Sequence, residues 1–340
     1  MVTNNIFYYK DEFELELGER FSGLQLSYST YGKLNNDKSN VVWVCHAFSG
    51  NSDFIEWWGG LFGEGKLFDP SKHFAICVNV LGGCYGTTGP LSVNPKTGKP
   101  YFHNFPLLTN RDMINGFELV RQDLQIDKIN TVIGCSLGGQ HAVEWAVSKP
   151  DLFEHLIAIG TNAKNSPWAI ALNESQRMAI AADKSWKENN ENAGLDGMKV
   201  ARSIGLLSYR NYRSYKIAQS EDSDEVTDNF KATSYQNYQG EKMKKRFNAF
   251  TYWILSKAMD SHNVGRGRGG VIKALQKIKA KSLFLGIESD ILFPVEEQKF
   301  LAQHVNGAVF DSIDSEYGHD GFLLEFEKLT ETITRFYKSK

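Results

Sequence analysis

Long apolar runs, paired cysteines and an excess of charge of one sign are all missing from this sequence. No apolar run approaches the ~20 residues of a transmembrane helix, so no membrane span is predicted. The 38 basic and 40 acidic side chains leave a formal net charge of −2, which argues against nucleic acid or an anionic membrane as a partner. The N-terminus lacks the basic-then-apolar pattern of a signal peptide, and we expect a cytoplasmic protein.

Cysteine is scarce. The four cysteines are Cys45, Cys77, Cys84 and Cys135, and they fall on predicted strands or in glycine-rich loops. They do not have the paired spacing of metal ligands, so no metal site is predicted. Free thiols in a reducing cytosol are the interpretation that fits this usage.

What the sequence does have is an apolar fraction of 41% over 340 residues, enough for a sizeable core. Residues 41–164 alternate between strand and helix patterns, which predicts an α/β fold with a mostly parallel, doubly wound sheet. Residues 165–275 are mostly helical in pattern and predict a lid domain across the active-site mouth. The α/β core domain would then comprise residues 1–164 and 276–340.

The most informative motif is Gly134-Cys135-Ser136-Leu137-Gly138, between a predicted strand at 129–133 and a helical pattern at 140–147. A serine on so sharp a strand-to-helix turn exposes its hydroxyl above the sheet, and flanking glycines let neighbouring backbone pass. The N–H of Leu137 would point to where an oxyanion forms. The motif predicts the nucleophile elbow of an α/β-hydrolase fold; the alternative is a tight turn without chemistry.

A serine nucleophile needs a base and an orienting acid, which in this fold follow in the order Ser, acid, His. Asp290 comes just after a predicted strand at 281–287, and His319 lies in a polar loop before a predicted helix at 322–337. We therefore predict the triad Ser136, Asp290 and His319. Glu288 is the alternative acid, and His46 is the rival base.

The second oxyanion donor is expected from the loop after the fold's third strand. The apolar run 41–45 ends in His46-Ala47-Phe48. The N–H of Phe48 is the predicted donor, with Ala47 as the adjacent possibility, and His46 is expected to pack or hydrogen-bond beneath the loop. Two basic clusters, at 242–246 and 266–268, are interpreted as solvated faces, with contacts to a cofactor phosphate as the alternative.

Several motifs together resemble one family nearly end to end. They are Cys45–Gly50, Trp57-Trp58, Asn79–Pro90, Arg111–Met113, the elbow, Glu144–Ala146, Asn173–Arg177, Tyr238–Gly240, Arg246-Phe247 and Tyr317–Asp320. On these motifs the chain resembles the homoserine O-acetyltransferases, acyltransferases of the α/β-hydrolase superfamily that act in methionine biosynthesis. The elbow departs from the family's usual form at Cys135, Leu137 and residues 140–141, which leaves the nucleophile untouched.

The resemblance implies ping-pong transfer of an acetyl group from acetyl-CoA to L-homoserine, with no permanently bound cofactor and a homodimeric enzyme. It also implies that Arg202 binds the substrate carboxylate, that Tyr209 lies beside it and that Asp320 binds the ammonium group. Arg210 is a rival for the carboxylate. Succinyl-CoA as donor, L-serine as acceptor, and a plain esterase or thioesterase are the alternative activities.

Overall fold

The computed structural model describes residues 2–339, and ten strands lie within them. In chain order they are β1 (Val2–Glu14), β2 (Arg20–Gly32), β3 (Val41–Cys45), β4 (Phe74–Val78), β5 (Val93–Asn94), β6 (Lys99–Pro100), β7 (Ile129–Cys135), β8 (Phe153–Ile159), β9 (Lys281–Ile287) and β10 (Val309–Ile313). Eight of these form one sheet in the order β1-β2-β4-β3-β7-β8-β9-β10, and β5 and β6 form a small hairpin. Strand β2 is antiparallel to both neighbours, and the strands from β4 to β10 in that order are parallel.

Eleven α-helices lie in the same residues. They are α1 (Phe54–Trp58), α2 (Asn110–Asp123), α3 (Leu137–Ser148), α4 (Pro167–Ala181), α5 (Leu195–Tyr209), α6 (Tyr212–Gln219), α7 (Lys231–Lys244), α8 (Ala249–Asp260), α9 (Val271–Leu275), α10 (Val295–His304) and α11 (Phe326–Lys338). Short 3-10 turns cover Phe102–Asn104, Lys184–Lys187 and Gly318–Leu323. No helix in the described part of the chain combines the length and the apolarity that crossing a bilayer requires.

Strand β3 shows why the sheet is covered on both faces. All five of its residues are buried, and alternate side chains face opposite sides. Trp43 packs edge-on against Trp145 of α3, with ring centroids 5.0 Å apart. Val42 belongs to a second hydrophobic cluster, which includes Trp58 of α1 and Ile333 of α11. The predicted α/β fold with a mostly parallel, doubly wound sheet is confirmed.

The chain between β8 and β9 is helical, as its pattern predicts. Helix α4 packs against α5 and α8, α5 packs against α7, and α5 also contacts the 3-10 turn at Gly318–Leu323. This last contact brings the helical segment to the loop that carries the predicted base. The division into a core domain of residues 1–164 and 276–340 and a lid domain of residues 165–275 stays a prediction.

The C-terminal helix begins later than predicted. The expected helix at 322–337 is replaced by the 3-10 turn and then by α11, because the backbone at Glu325 (φ −92°, ψ 51°) is not helical. The turn packs His319 and its neighbours against β9 and α5. A uniform helix from residue 322 would not allow this bend.

Candidate functional site

Ser136 stands between β7 and α3 in a backbone conformation that a residue with a side chain rarely adopts (φ 57°, ψ −125°). The adjacent glycines allow the close contacts that this turn needs. A Cβ on Gly138 would lie 2.0 Å from the carbonyl oxygen of Cys45, and one on Gly134 would lie 2.1 Å from that of Gly138. Only glycine fits at both positions, so the end of β3 can approach the elbow closely.

His319 and Asp290 form a buried pair. Nδ1 of His319 is 2.6 Å from Oδ2 of Asp290. The other carboxylate oxygen, Oδ1, accepts the backbone N–H groups of Leu292 (2.8 Å) and Phe293 (2.9 Å). Because the carboxylate is held by the backbone that follows it, it fixes the orientation of the imidazole ring. Nδ1 then carries the proton, and the lone pair is on Nε2.

The free nitrogen of this ring is buried beside the cavity that contains the elbow serine. His319 Nε2 has no hydrogen-bond partner among residues 2–339. Ser136 and His319 line the same cavity, whose volume is about 590 Å³. No hydrogen bond joins Ser136 Oγ to His319 Nε2 in the described structure. The His319–Asp290 contact of the triad is therefore formed, and the Ser136–His319 contact is not. Catalytic hydrogen bonds are often long in the free enzyme and shorten in the substrate complex.

The rival acid and base have other partners. His46 Nδ1 donates to the carbonyl of Ala47 (2.9 Å), and its Nε2 accepts the N–H of Val80 (3.2 Å). Burial lowers the pKa of His46 to about 4, so the ring is neutral with both nitrogens occupied. Glu288 is exposed and bonds to the hydroxyl of Ser312. The geometry gives neither residue a role at Ser136.

The backbone around the predicted oxyanion site has free donors. The N–H groups of Phe48 and Leu137 form no hydrogen bond within residues 2–339. Ala47 and Phe48 line the cavity, and Leu137 is the first residue of α3. An N–H at a helix start carries a partial positive charge that favours an anion. Both predicted donors are available, and Ala47 stays as the alternative.

The predicted acceptor-binding residues line the same cavity. The Arg202 guanidinium lies over the ring of Tyr209, 5.4 Å from its centroid, and has no acidic partner in the described chain. Arg210 Nε is 3.0 Å from Asp320 Oδ2. Burial raises the pKa of the Asp320 carboxyl, and Arg210 opposes that shift. The cavity thus presents Arg202 as an unpaired cation and, apart from it, the Asp320 anion, which is paired with Arg210. This arrangement favours Arg202 over Arg210 as the residue that binds a substrate carboxylate.

Thr161 went unrecognised in the sequence, and Arg246 has contacts that its motif did not predict. Thr161, two residues beyond β8, donates its hydroxyl to the Ser136 carbonyl (2.9 Å). Arg246 also lines the cavity, where it donates to the carbonyl of Ser49 (2.7 Å) and to the hydroxyl of Tyr85 (2.9 Å). Arg246 is exposed, as the solvated-face interpretation expects, and it also lines the cavity; the alternative contact with a cofactor phosphate stays a prediction. The sequence signal for Thr161 is its place after the strand that neighbours the elbow.

Comparisons with known proteins agree with this site. A family model described as the alpha/beta hydrolase fold matches residues 40–326. The homoserine O-acetyltransferase of Cyclobacterium marinum is 51% identical, over 99% of this chain and 95% of that protein. The crystal structure of homoserine O-acetyltransferase from Bacillus anthracis superimposes with a TM-score of 0.92 at 26% identity, covering 100% of this chain and 98% of the other.

Esterase E22 also shares the architecture, with a TM-score of 0.90 over 99% of this chain and 100% of the esterase. At 24% identity this likeness concerns the fold alone. The homoserine O-acetyltransferase of Cyclobacterium marinum is far more similar to the chain, at 51% identity. The chain belongs to the homoserine O-acetyltransferase family, a family of acyltransferases with the α/β-hydrolase fold.

Proposed function

We propose that this enzyme transfers the acetyl group of acetyl-CoA to the hydroxyl of L-homoserine through an acetyl-Ser136 intermediate. The observation that carries the proposal is the 2.6 Å contact between His319 and Asp290, beside the cavity that His319 lines together with Ser136, Arg202 and Asp320. A hydrolase needs only Ser136, His319 and Asp290. The separated cation and anion give the cavity a way to recognise a zwitterionic amino acid.

In the first half-reaction, His319 Nε2 takes the proton of Ser136 as Oγ attacks the thioester carbonyl carbon. The N–H groups of Phe48 and Leu137 donate to the oxyanion of the tetrahedral intermediate. The intermediate collapses, the C–S bond breaks, and the CoA thiolate receives the proton from His319. Asp290 holds the ring in place and stabilises its charged form while the proton resides there.

In the second half-reaction, the homoserine hydroxyl gives its proton to His319 Nε2 and its oxygen attacks the acetyl-Ser136 carbonyl. The same N–H groups bind the second oxyanion. Collapse breaks the bond to Ser136 Oγ, which takes back the proton from His319. The products are O-acetyl-L-homoserine and the free enzyme.

Homoserine must react faster than water, which is far more abundant. Arg202 would bind the carboxylate with the bidentate geometry of guanidinium pairs, with Tyr209 beneath it, and Asp320 would bind the ammonium group. Gripping both ends fixes the hydroxyl near the acyl carbon. Well-oriented groups gain effective concentrations on the order of 10⁵ M or more, which exceeds the concentration of water.

The first test follows the two half-reactions separately. Purified enzyme with acetyl-CoA alone should give an acetyl adduct by mass spectrometry and little continuous thiol release, and adding L-homoserine should make release continuous. Ser136→Ala should abolish the adduct, and its persistence would show that the nucleophile is misassigned. CoA release at the same rate without homoserine would establish hydrolysis instead. A panel of acyl-CoAs with homoserine and serine tests the donor and the acceptor.

The second test concerns the acceptor contacts. Arg202→Ala should reduce kcat/KM for homoserine far more than the rate of acetyl-enzyme formation, because the acetyl group is transferred to Ser136 before homoserine is needed. Arg213→Ala is a matched control, since Arg213 is an exposed arginine on α6 and does not line the cavity. Equal losses in both half-reactions of Arg202→Ala would count against a carboxylate-binding role.

We also propose a cytoplasmic homodimer that assembles through the helical segment. Large apolar side chains stand exposed on α4 and α5, among them Met178 (64% exposed), Val200 (51%) and Leu207 (58%). Such exposure is typical of association surfaces. Light scattering should give a mass twice that of the chain. Leu207→Glu should lower the measured mass toward that of the monomer.

A further inference from the structure

The anion of the proposed acceptor site is held by a residue outside the predicted set of substrate contacts. Arg210, the first residue after α5, approaches Oδ2 of Asp320 through its Nε, at 3.0 Å. Both side chains are mostly buried, with exposed fractions of 24% and 14%. The contact is an ion pair without hydrogen-bond alignment, since Arg210 Nε has no hydrogen-bond partner within residues 2–339. Within residues 2–339, Oδ2 of Asp320 lies in this ion pair and Oδ1 lies in none, so Oδ1 is available to a ligand.

The backbone of Arg210 is fixed independently of its side chain. A Cβ on Gly318 would lie 2.9 Å from the carbonyl carbon of Arg210 and 3.1 Å from the carbonyl oxygen of Tyr209. The loop that carries His319 and Asp320 therefore packs directly on the end of α5. Because this contact uses main-chain atoms, replacing the Arg210 side chain leaves it in place.

We propose that Arg210 is a positioning residue that holds the Asp320 carboxylate through one oxygen and thereby presents the other oxygen to the ammonium group of the acceptor. The inference rests on the proposed function and adds a residue that determines the choice of acceptor. Arg202 has no acidic partner among residues 2–339, which leaves its guanidinium for the acceptor's carboxylate. Arg210 acts on the opposite end of the amino acid, through Asp320.

Charge explains why this support is needed. Asp320 is buried near His319, and burial favours the neutral acid, which cannot attract an ammonium group as a carboxylate does. The arginines 202 and 210 and the imidazole of His319 favour the ionised form, with Arg210 the largest of the three, whereas Asp290 disfavours it. Removing the Arg210 guanidinium takes away the main counter-charge and the contact that fixes the rotamer. Without Arg210, the pKa of the Asp320 carboxyl should rise further, and the carboxylate should lose the contact that orients it.

A double-mutant cycle tests the inference on the full-length enzyme. Arg210→Met and Asp320→Asn should each lower kcat/KM for L-homoserine about 10-fold or more, as expected when one partner of a mostly buried ion pair is removed. The double variant should be no worse than Asp320→Asn alone, because Arg210 acts only through Asp320. Arg210→Lys should recover part of the loss. Arg213→Met should match the wild type.

Acetyl-enzyme formation from acetyl-CoA separates this role from a structural one. In Arg210→Met it should fall far less than kcat/KM for homoserine, and the thermal midpoint should stay near that of the wild type. Additive losses in the cycle, equal losses in both half-reactions, or an unchanged kcat/KM for homoserine would each overturn the inference. Failure of the wild type itself to form an acetyl-enzyme or to transfer it to homoserine would instead overturn the proposed function.

Discussion

The hydroxyl of Thr161 donates a hydrogen bond to the backbone carbonyl of Ser136, over 2.9 Å and in a fully buried setting. The same side chain fills the space that a Cβ on Gly139 would occupy, since such a Cβ would lie 2.6 Å from that of Thr161. Gln298 in turn donates its side-chain amide to the Thr161 carbonyl (2.5 Å). The strained elbow is therefore held from the end of the neighbouring strand as well as by its own helix.

Thr161→Val should loosen the elbow, because it keeps the shape of the side chain and removes the donor. We expect a loss of about 1–3 kcal/mol in unfolding free energy and a lower kcat in both half-reactions, with KM for homoserine changed little. Thr161→Ser keeps the hydroxyl and should restore most of kcat. Denaturant unfolding and single-turnover acylation are the measurements. Equal kcat values for the wild type and Thr161→Val would show that the Thr161 hydroxyl does not support the elbow.

Gly138→Ala should prevent the elbow from forming. The new Cβ would lie 2.0 Å from the carbonyl oxygen of Cys45 and 2.7 Å from that of His46, and both are backbone atoms that cannot move aside easily. We expect unfolded protein, or a loss of more than about 3 kcal/mol in unfolding free energy with no acylation.

The matched control for Gly138→Ala is Gly116→Ala in α2. There a Cβ would meet only the Leu26 side chain at 3.5 Å, and alanine favours a helix more than glycine does. Gly116→Ala should fold and retain activity. A stable, active Gly138→Ala enzyme would show that the elbow can form with the backbone of Cys45 and His46 farther away than in the structure.

Asp290→Asn should leave the fold intact and slow catalysis on the order of 10³–10⁴-fold, because an amide no longer selects the tautomer that leaves Nε2 free. The backbone N–H groups of Leu292 and Phe293 can still bond to the amide oxygen. Circular dichroism should be unchanged while the acetyl-enzyme forms slowly. Glu288→Gln is the control, and a larger loss there than in Asp290→Asn would reverse the choice of acid.

Arg246→Met should slow acylation because Arg246 holds the carbonyl of Ser49, the residue after the proposed oxyanion donor Phe48. If the guanidinium positions this loop, acylation by p-nitrophenyl acetate should fall about as much as acylation by acetyl-CoA, roughly 10-fold. If it binds CoA phosphates instead, only the reaction with acetyl-CoA should weaken, through KM. Lys242→Met, at a second basic residue lining the cavity, is the control.

Acid should destabilise the enzyme through buried histidines. His262 accepts the side-chain N–H of Asn110 at Nδ1 (3.0 Å) and donates from Nε2 to the Asn162 carbonyl (3.1 Å), and burial lowers its pKa to about 3. The unfolded chain binds a proton near the ordinary pKa of about 6.5, whereas the folded chain does not. Unfolding free energy therefore falls as pH drops below about 6.5, and continues to fall until about pH 3.

From about pH 7 to about pH 5, His262 alone should account for a loss of about 2 kcal/mol. His46, with its pKa lowered to about 4, acts in the same direction. Urea unfolding at several pH values measures the slope. His262→Gln should have a shallower slope than the wild type, whatever its stability at neutral pH, and an identical slope would refute the account.

Local patterns were enough to predict much of the fold. Strand β3 was predicted at 41–45 and is observed there. A short, continuous apolar run is typical of a parallel strand that is buried on both faces. The helix after the elbow was predicted from residue 140 and begins at Leu137. Its first turn contains two glycines, which weaken the helical signal although the turn is helical.

The roles of charged residues were harder to predict. Sequence reasoning left Arg202 and Arg210 as rivals, since both lie near Tyr209. The structure pairs Arg210 with Asp320 and leaves Arg202 without an acidic partner in the described chain. Which partner each arginine has depends on how α5 packs against the loop after β10, a contact between segments about a hundred residues apart in the sequence.

The sequence alone determined the alternation of strands and helices over residues 41–164, the serine turn and the candidates that follow it, because short-range sterics and burial dictate these features. The tertiary structure decided which candidates meet. It brought His319 against Asp290, gave His46 other partners, placed Thr161 against the Ser136 carbonyl, and set Arg210 and Arg246 on the cavity wall. Such contacts join residues distant along the chain, and only the packing of whole elements fixes where a long side chain ends.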